Sequence, residues 1–224
     1  MYTDFAWECL RRNREYISDW EDFFRNGDNK NMAMATPETL EKKWGLLRFQ
    51  NPFHSSAENV FWSEPLSSRS IIIKLHDNGH VSASSLINRN KTLCRKFLAY
   101  NGCACIKVYN NHGYIQIFID EDDLNNFTTD KYVYFSLNKK SAHNIHSLLS
   151  GNLPSANPCA GKMDSLYFYD KHSQGFTQKE IALYFYGERV TTMEWDSDSW
   201  LRARVRYKLK MAEKLIMHDY VNYI

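Results

Sequence analysis

The chain has 224 residues, 43% hydrophobic and 15% aromatic, enough apolar material for one large domain or two small ones. Lys and Arg total 28 against 26 Asp and Glu, a formal net charge of +2, so any nucleic-acid surface has to be a local patch and not a global polycation. No run of about eighteen apolar residues occurs and the opening MYTDFAWECLRR has no basic start followed by an apolar stretch, so neither a membrane span nor a signal peptide is expected.

The five cysteines, Cys9, Cys94, Cys103, Cys105 and Cys159, are an odd number in a chain without an export signal, which predicts reduced thiols in a cytoplasm. Cys103-Ala-Cys105 does not have zinc-site spacing, and no metal or other cofactor is expected.

Residues 3–26 read as two helices. Phe5, Ala6, Cys9 and Leu10 share one helical face, Tyr16, Ile17, Trp20, Phe23 and Phe24 another, with a break at Asn13. Arg11, Arg12 and Arg14 form a basic corner, expected to pair with nearby Glu8, Glu15 and Asp19. Residues 27–35 read as a loop, and Thr36-Pro37-Glu38 as a helix start running to about Trp44. Residues 46–54 read as irregular or a short strand, and residues 55–59 as a linker.

From residue 61 to 137 the periodicity is that of strands. Strands are expected at 70–76, 80–85, 103–109, 114–119 and 132–137. Asp77-Asn-Gly79 and Asn110-Asn-His-Gly113 mark turns. A short helix is expected near 91–99, and alternation of Ile115, Ile117 and Ile119 predicts a small antiparallel sheet with one buried face. The acids at 120–123 suit a nuclease-like metal site or a solvated turn, and the solvated turn is the commoner fate. His76, His80 and His112 fall at turns and read as surface residues. No phosphate loop or nucleophile elbow is present, no catalytic residue is assigned, and an enzyme is not expected.

Residues 141–149 read as a helix. GNLPSANPCAG, residues 151–161, is the best linker in the chain. A helix over 163–170 then leads into two more. Thr177 followed by Glu180 is a capping box, with Ile181, Ala182 and Phe185 on one face and Gly187 as the stop. The loop from Glu188 to about Asp196 is longer than a simple helix-turn-helix turn; Val190, Met193 and Trp195 are expected to pack beneath it, with room for a short helical turn.

A long helix follows, capped by Ser197 or Ser199. Leu201, Val205, Leu209, Ala212 and Ile216 form its apolar stripe, and Arg202, Arg206, Lys210 and Lys214 an adjoining basic one. Such a helix can enter a major groove, where Arg pairs with guanine and Lys neutralises phosphate. The expected DNA-binding residues are Gln178, Lys179, Ser199, Arg202, Arg204, Arg206, Lys208 and Lys210, with Ser199 near base edges and Lys179, Arg204 and Lys208 on phosphates. A solvated face, or a basic helix binding an acidic protein partner in a structural or assembly role, is the alternative. Residues 220–224 read as a short strand.

Three segments resemble one family. The run 176–224, TQKEIALYFYGERV followed by LRARVRYKLKMAEKLI, is similar to the C-terminal domain of bacterial transcriptional-regulator-like proteins that occur often on mobile elements. FAWECLRRNREYISDW, residues 5–20, resembles that family's opening motif, and KWGLLRFQNPF with VFW, residues 43–62, its next segment. The matches cover about half the chain and leave the middle unmatched. The resemblance implies DNA-binding transcription control, with activation of type VI secretion or virulence-related operons. The expected architecture is α+β: a helical region over 1–54, a β-rich domain over 55–150 and a helix-turn-helix-like domain over 161–224. Double-stranded promoter DNA is the expected partner. A homo-oligomer is expected because one such domain has a small footprint and symmetric operators are read by symmetric proteins.

Overall fold

A computed structural model describes residues 2–25, 37–79, 82, 93–100, 103–120, 123, 131–135, 139–157 and 160–224. The expected loop at 27–35, the cap at Thr36, His80, Glu121, Asp122 and Cys159 lie outside them.

The protein is α+β. Helices α1 (Phe5–Leu10), α2 (Arg14–Arg25) and α3 (Pro37–Trp44) come first. Five strands follow: β1 (Ser70–His76), β2 (Cys94–Tyr100), β3 (Cys103–Tyr109), β4 (Tyr114–Asp120) and β5 (Tyr132–Phe135). The chain ends in α4 (Lys139–Ser150), α5 (Ala160–Ser173), α6 (Gln178–Glu194), α7 (Trp200–Met217) and a 3-10 turn (Asp219–Tyr223). Asn13 does break the first two helices. Its side-chain oxygen accepts from the backbone N–H groups of Glu15 and Tyr16 and so caps α2.

The sheet order is β2-β3-β4-β1-β5, antiparallel except for the β1–β4 pair, which is parallel. This departs from the all-antiparallel expectation. A two-residue hairpin cannot join parallel neighbours, and β1 sits between β4 and β5. Of the expected return strand at 80–85 only Ser82 is described, and it bridges Tyr132. The helix expected near 91–99 is corrected: residues 94–100 form β2, paired with β3 along its whole length. A full ladder of partners outweighs the weak local preference of this segment.

One sheet face packs against α4, where Leu148, Leu149 and Ile145 meet Ile71, Ile73, Ile106, Val108, Ile115, Ile117 and Ile119. On the other face, Leu47 and Phe61 cover Leu98, Cys105 and Phe118. The centre of the sheet is therefore buried on both sides, against the expectation of one buried face. A buried polar cluster fills part of the second side. Lys107, fully buried, donates to the carbonyls of Ala57 (2.9 Å) and Val60 (2.8 Å), lies 3.5 Å from the Asp4 carboxylate and sits over the Tyr114 ring. Burial pushes its amine down to about 8. Gln116 spans the backbone of Trp62, accepting from its N–H and donating to its carbonyl.

The largest core joins the two ends of the chain. Phe5, Trp7, Leu10, Tyr16 and Trp44 pack with Trp62 and with Ala212, Leu215, Ile216, Tyr220 and Ile224. The last residues are a 3-10 turn and not the expected strand. Ile224 and Tyr220 are buried, the Ile224 carbonyl accepts from Ser68, and the Tyr223 carbonyl from Arg69, so these groups are spent without a sheet edge.

Two arginines of the basic corner at 11–14, Arg11 and Arg12, are tied to acids, while Arg14 is exposed with no ion pair among the described residues. Arg11 and Arg12 both pair with Glu8, while Arg12 also makes a two-pronged pair with Asp170 of α5, 2.7 and 2.8 Å. Burial alone opposes that charge, yet the hydrogen bonds to Asp170 and Glu8 hold it above its ordinary range. Glu15 and Asp19, expected to serve the same corner, pair instead with Lys43 of α3. Among the described residues no helix is long and apolar enough to cross a membrane.

Candidate nucleic-acid interface

Helices α5, α6 and α7 enclose a small core of Phe168, Ile181, Ala182, Leu201, Val205 and Leu209, with Phe185 stacked on Phe168 at 4.1 Å. The capping box at the start of α6 is present in both directions. Thr177 Oγ1 accepts from the Glu180 N–H, and the Thr177 N–H donates to the Glu180 carboxylate at 2.7 Å, which holds that carboxyl below its usual range. Gly187 takes φ +82°, where an L side chain is strained, and it interrupts the helix without ending it. Residues 188–194 resume helical turns, so the long connection carries its own helical segment. Val190 and Trp195 pack on the small core as expected. Met193 does not: it is 71% exposed, because the resumed turns carry it outward.

Ser199 caps α7, its hydroxyl accepting from the Arg202 N–H at 3.2 Å. All five residues of the expected apolar stripe are buried. Leu201, Val205 and Leu209 face the small core, Ala212 and Ile216 the large one. One 18-residue helix therefore belongs to both cores. Its far end is tied to the N-terminal region by Asn13, whose amide donates to the Ile216 carbonyl at 3.1 Å.

The expected contact residues fall into two groups. Arg204, Arg206, Lys210 and Lys179 are exposed and Arg202 is half-buried; none of these five makes a side-chain hydrogen bond or ion pair among the described residues. Gln178 is half-buried at the start of α6. Lys208 and Ser199 point elsewhere. Lys208 is buried and donates to the Gly161 carbonyl at 2.6 Å, near Asp164, which pins the start of α5 to α7. Ser199 is buried and its hydroxyl is occupied by the cap. Lys214, the last member of the basic stripe, is paired with Asp219 at 3.1 Å.

The outward face of α7 also carries two residues that the charge pattern does not single out, Ala203 and Tyr207. Ala203, Arg206, Tyr207 and Lys210 stand at i, i+3, i+4 and i+7, opposite the buried stripe. Tyr207 is 59% exposed. An aromatic at the i+4 position from Ala203, away from the apolar stripe, was the sequence signal for it. Acids lie at both ends of this face: exposed Asp196 and Asp198 before the helix, Glu213 in its last turns and Asp219 after it.

The nuclease-like reading of residues 120–123 finds a different use for one of them, since the Asp123 carboxylate accepts from the Leu75 N–H at 3.2 Å. His76 packs edge-on against Tyr134. Among the described residues no group of three His, Cys, Asp or Glu side chains converges as a metal site.

Two family models match the chain on either side of the sheet. Residues 1–50 match a proteobacterial transcriptional regulator-like domain. Residues 154–224, which hold α5, α6 and α7, match the RovC DNA-binding domain, described as a T6SS transcription factor DNA-binding domain. No curated protein matches the chain.

Proposed function

We propose, from the match of residues 1–50 to a proteobacterial transcriptional regulator-like domain and of residues 154–224 to a T6SS transcription factor DNA-binding domain, that this chain binds promoter DNA sequence-specifically as an oligomer and activates secretion or virulence-related operons. The observation that carries this reading is the free cationic face of α7. Arg202, Arg206 and Lys210 lie on the solvent side of a helix whose other side is held by two cores. A cation with no internal partner keeps its charge for a phosphate or a base edge. Arg204 on the opposite flank and Lys179 at the start of α6 suit backbone phosphates. Lys208 and Ser199, spent inside the fold, have no part in this set.

The test is a titration of the full chain against pooled genomic fragments at two salt concentrations, with sizing of the free protein. Tight selection of a few upstream fragments, weakened as salt rises, supports a regulator and yields its operator. Well-folded protein that binds no fragment at low salt overturns the reading in favour of a protein partner for the basic helix.

A further inference from the structure

We infer, on the basis of the DNA-binding reading, that Ala203 and Tyr207 determine sequence specificity, and that the middle of α7, not its N-terminal tip, sits in the major groove. Three observations converge on this. The N-terminal end of α7 is preceded by exposed Asp196 and Asp198, and Glu194 accepts from the Trp200 indole at 2.8 Å. Driving that end between phosphate rails would set like charges against each other. The C-terminal end is closed by Glu213 and by the Lys214–Asp219 pair. Between these acids lies one window in which every cation but the internal Lys208 has no hydrogen bond or ion pair among the described residues: Arg202, Arg204, Arg206 and Lys210.

The window spans nine residues, about 12 Å of helix, which matches roughly four base-pair steps. Ala203 is the small residue on its outward face, so nothing there holds the backbone off the groove floor. Its methyl, like the ring of Tyr207 one turn on, suits the apolar C5-methyl of thymine, and Arg206 beside them suits guanine O6 and N7. Tyr207 makes no hydrogen bond or ring contact among the described residues, so its exposed ring has no internal task. Arg202 and Arg204 lie on opposite flanks of that face and are spaced to meet the two phosphate backbones. The site read by one chain is therefore short and holds adjoining G and T.

The experiment is selection from a pool of randomised duplexes by the full chain, its Tyr207→Ala and Ala203→Leu variants, and Lys210→Ala as a phosphate control, with melting curves for each. The expected result is a short wild-type motif, a changed preference at one or two adjacent positions in Tyr207→Ala at an unchanged salt slope, and at least a tenfold loss of specific affinity in Ala203→Leu with non-specific binding retained. Lys210→Ala keeps the motif and lowers the salt slope. If the wild type selects a motif and both Ala203→Leu and Tyr207→Ala select it with equal affinity, this inference is overturned while DNA binding stands. If the wild type binds no duplex at low salt, both fall. Should Ala203→Leu fail to fold, Tyr207→Ala decides alone.

Discussion

Arg11 and Arg12 of the corner and the arginines of the window at residues 202–210 are used by the fold in opposite ways. At the corner, Arg11 and Arg12 have carboxylates of Glu8 and Asp170 within hydrogen-bonding distance, and Arg12 ties α1 to α5. On α7, Arg202, Arg206 and Lys210 have no acid of their own among the described residues. The difference teaches that a basic residue stays available for a partner only where acids are kept away. Lys107 and Lys208 extend the first class, held by backbone carbonyls inside the protein. Desolvating a cation is expensive, so an internal one must collect partners, whereas an external one keeps its charge for an incoming anion.

The sharpest break of this comparison is on α7. Arg202→Ala with Arg206→Ala is expected to weaken binding to a selected fragment on the order of 100-fold, at about 1–3 kcal/mol for the base-reading Arg206 with the phosphate contact of Arg202 added, and with the melting curve unchanged. Unaltered affinity in an anisotropy titration would return this stripe to the status of a solvated face.

The internal cations are tested by stability. The Lys107 amine is lowered from 10.5 to about 8 by burial. Between those values the unfolded chain binds a proton that the folded chain does not, so stability rises with pH across that window and the contribution is lost as pH falls through about 8. The shift corresponds to about 3 kcal/mol at most. Urea denaturation of wild type and Lys107→Met at pH 7.5 and pH 9.5 reads the difference, since the buried thiols of Cys9 and Cys105, which burial also raises and which act in the same range, are common to both proteins. A constant gap between the two proteins would contradict a depressed amine.

Arg12→Ala leaves Glu8 and Asp170 without their partner. It should cost on the order of 2–3 kcal/mol of stability, recovered only in part by Lys, which lacks the two-pronged geometry. Chemical denaturation measures it, and a loss of DNA affinity larger than the loss of folded protein would place the corner in the interface. The smallest effects separate two neighbours on one helix. Lys210→Ala should lower the slope of log affinity against log salt by about one with no change in melting. Lys208→Ala should do the reverse, costing about 1 kcal/mol and leaving the slope alone.

Much of the candidate interface could be read from spacing. The capping box at Thr177, the cap at Ser199 and the buried stripe from Leu201 to Ile216 depend on residues three or four apart, and helix geometry brings such residues together in any context. Arg202 and Arg206 were found outward for the same reason. Lys208 was not found inward, because its partner is a backbone carbonyl at Gly161, 47 residues away. The same limit explains β2, whose strand form comes from pairing with β3, and the parallel β1–β4 pair, which no local turn encodes.

Local periodicity by itself determined the helices at both ends, four of the five strands and the amphipathic character of α7, while the family resemblance of the termini rested on matched motifs. Tertiary structure alone decided that Asp4, Lys107 and Gln116 bury a polar cluster beneath the sheet, that the first and last helices share one core, and which cations are left over for a partner. The physical reason is range. A helix face is set by bonds within four residues, but whether a charge is spent or free depends on which distant acid or carbonyl the fold delivers to it.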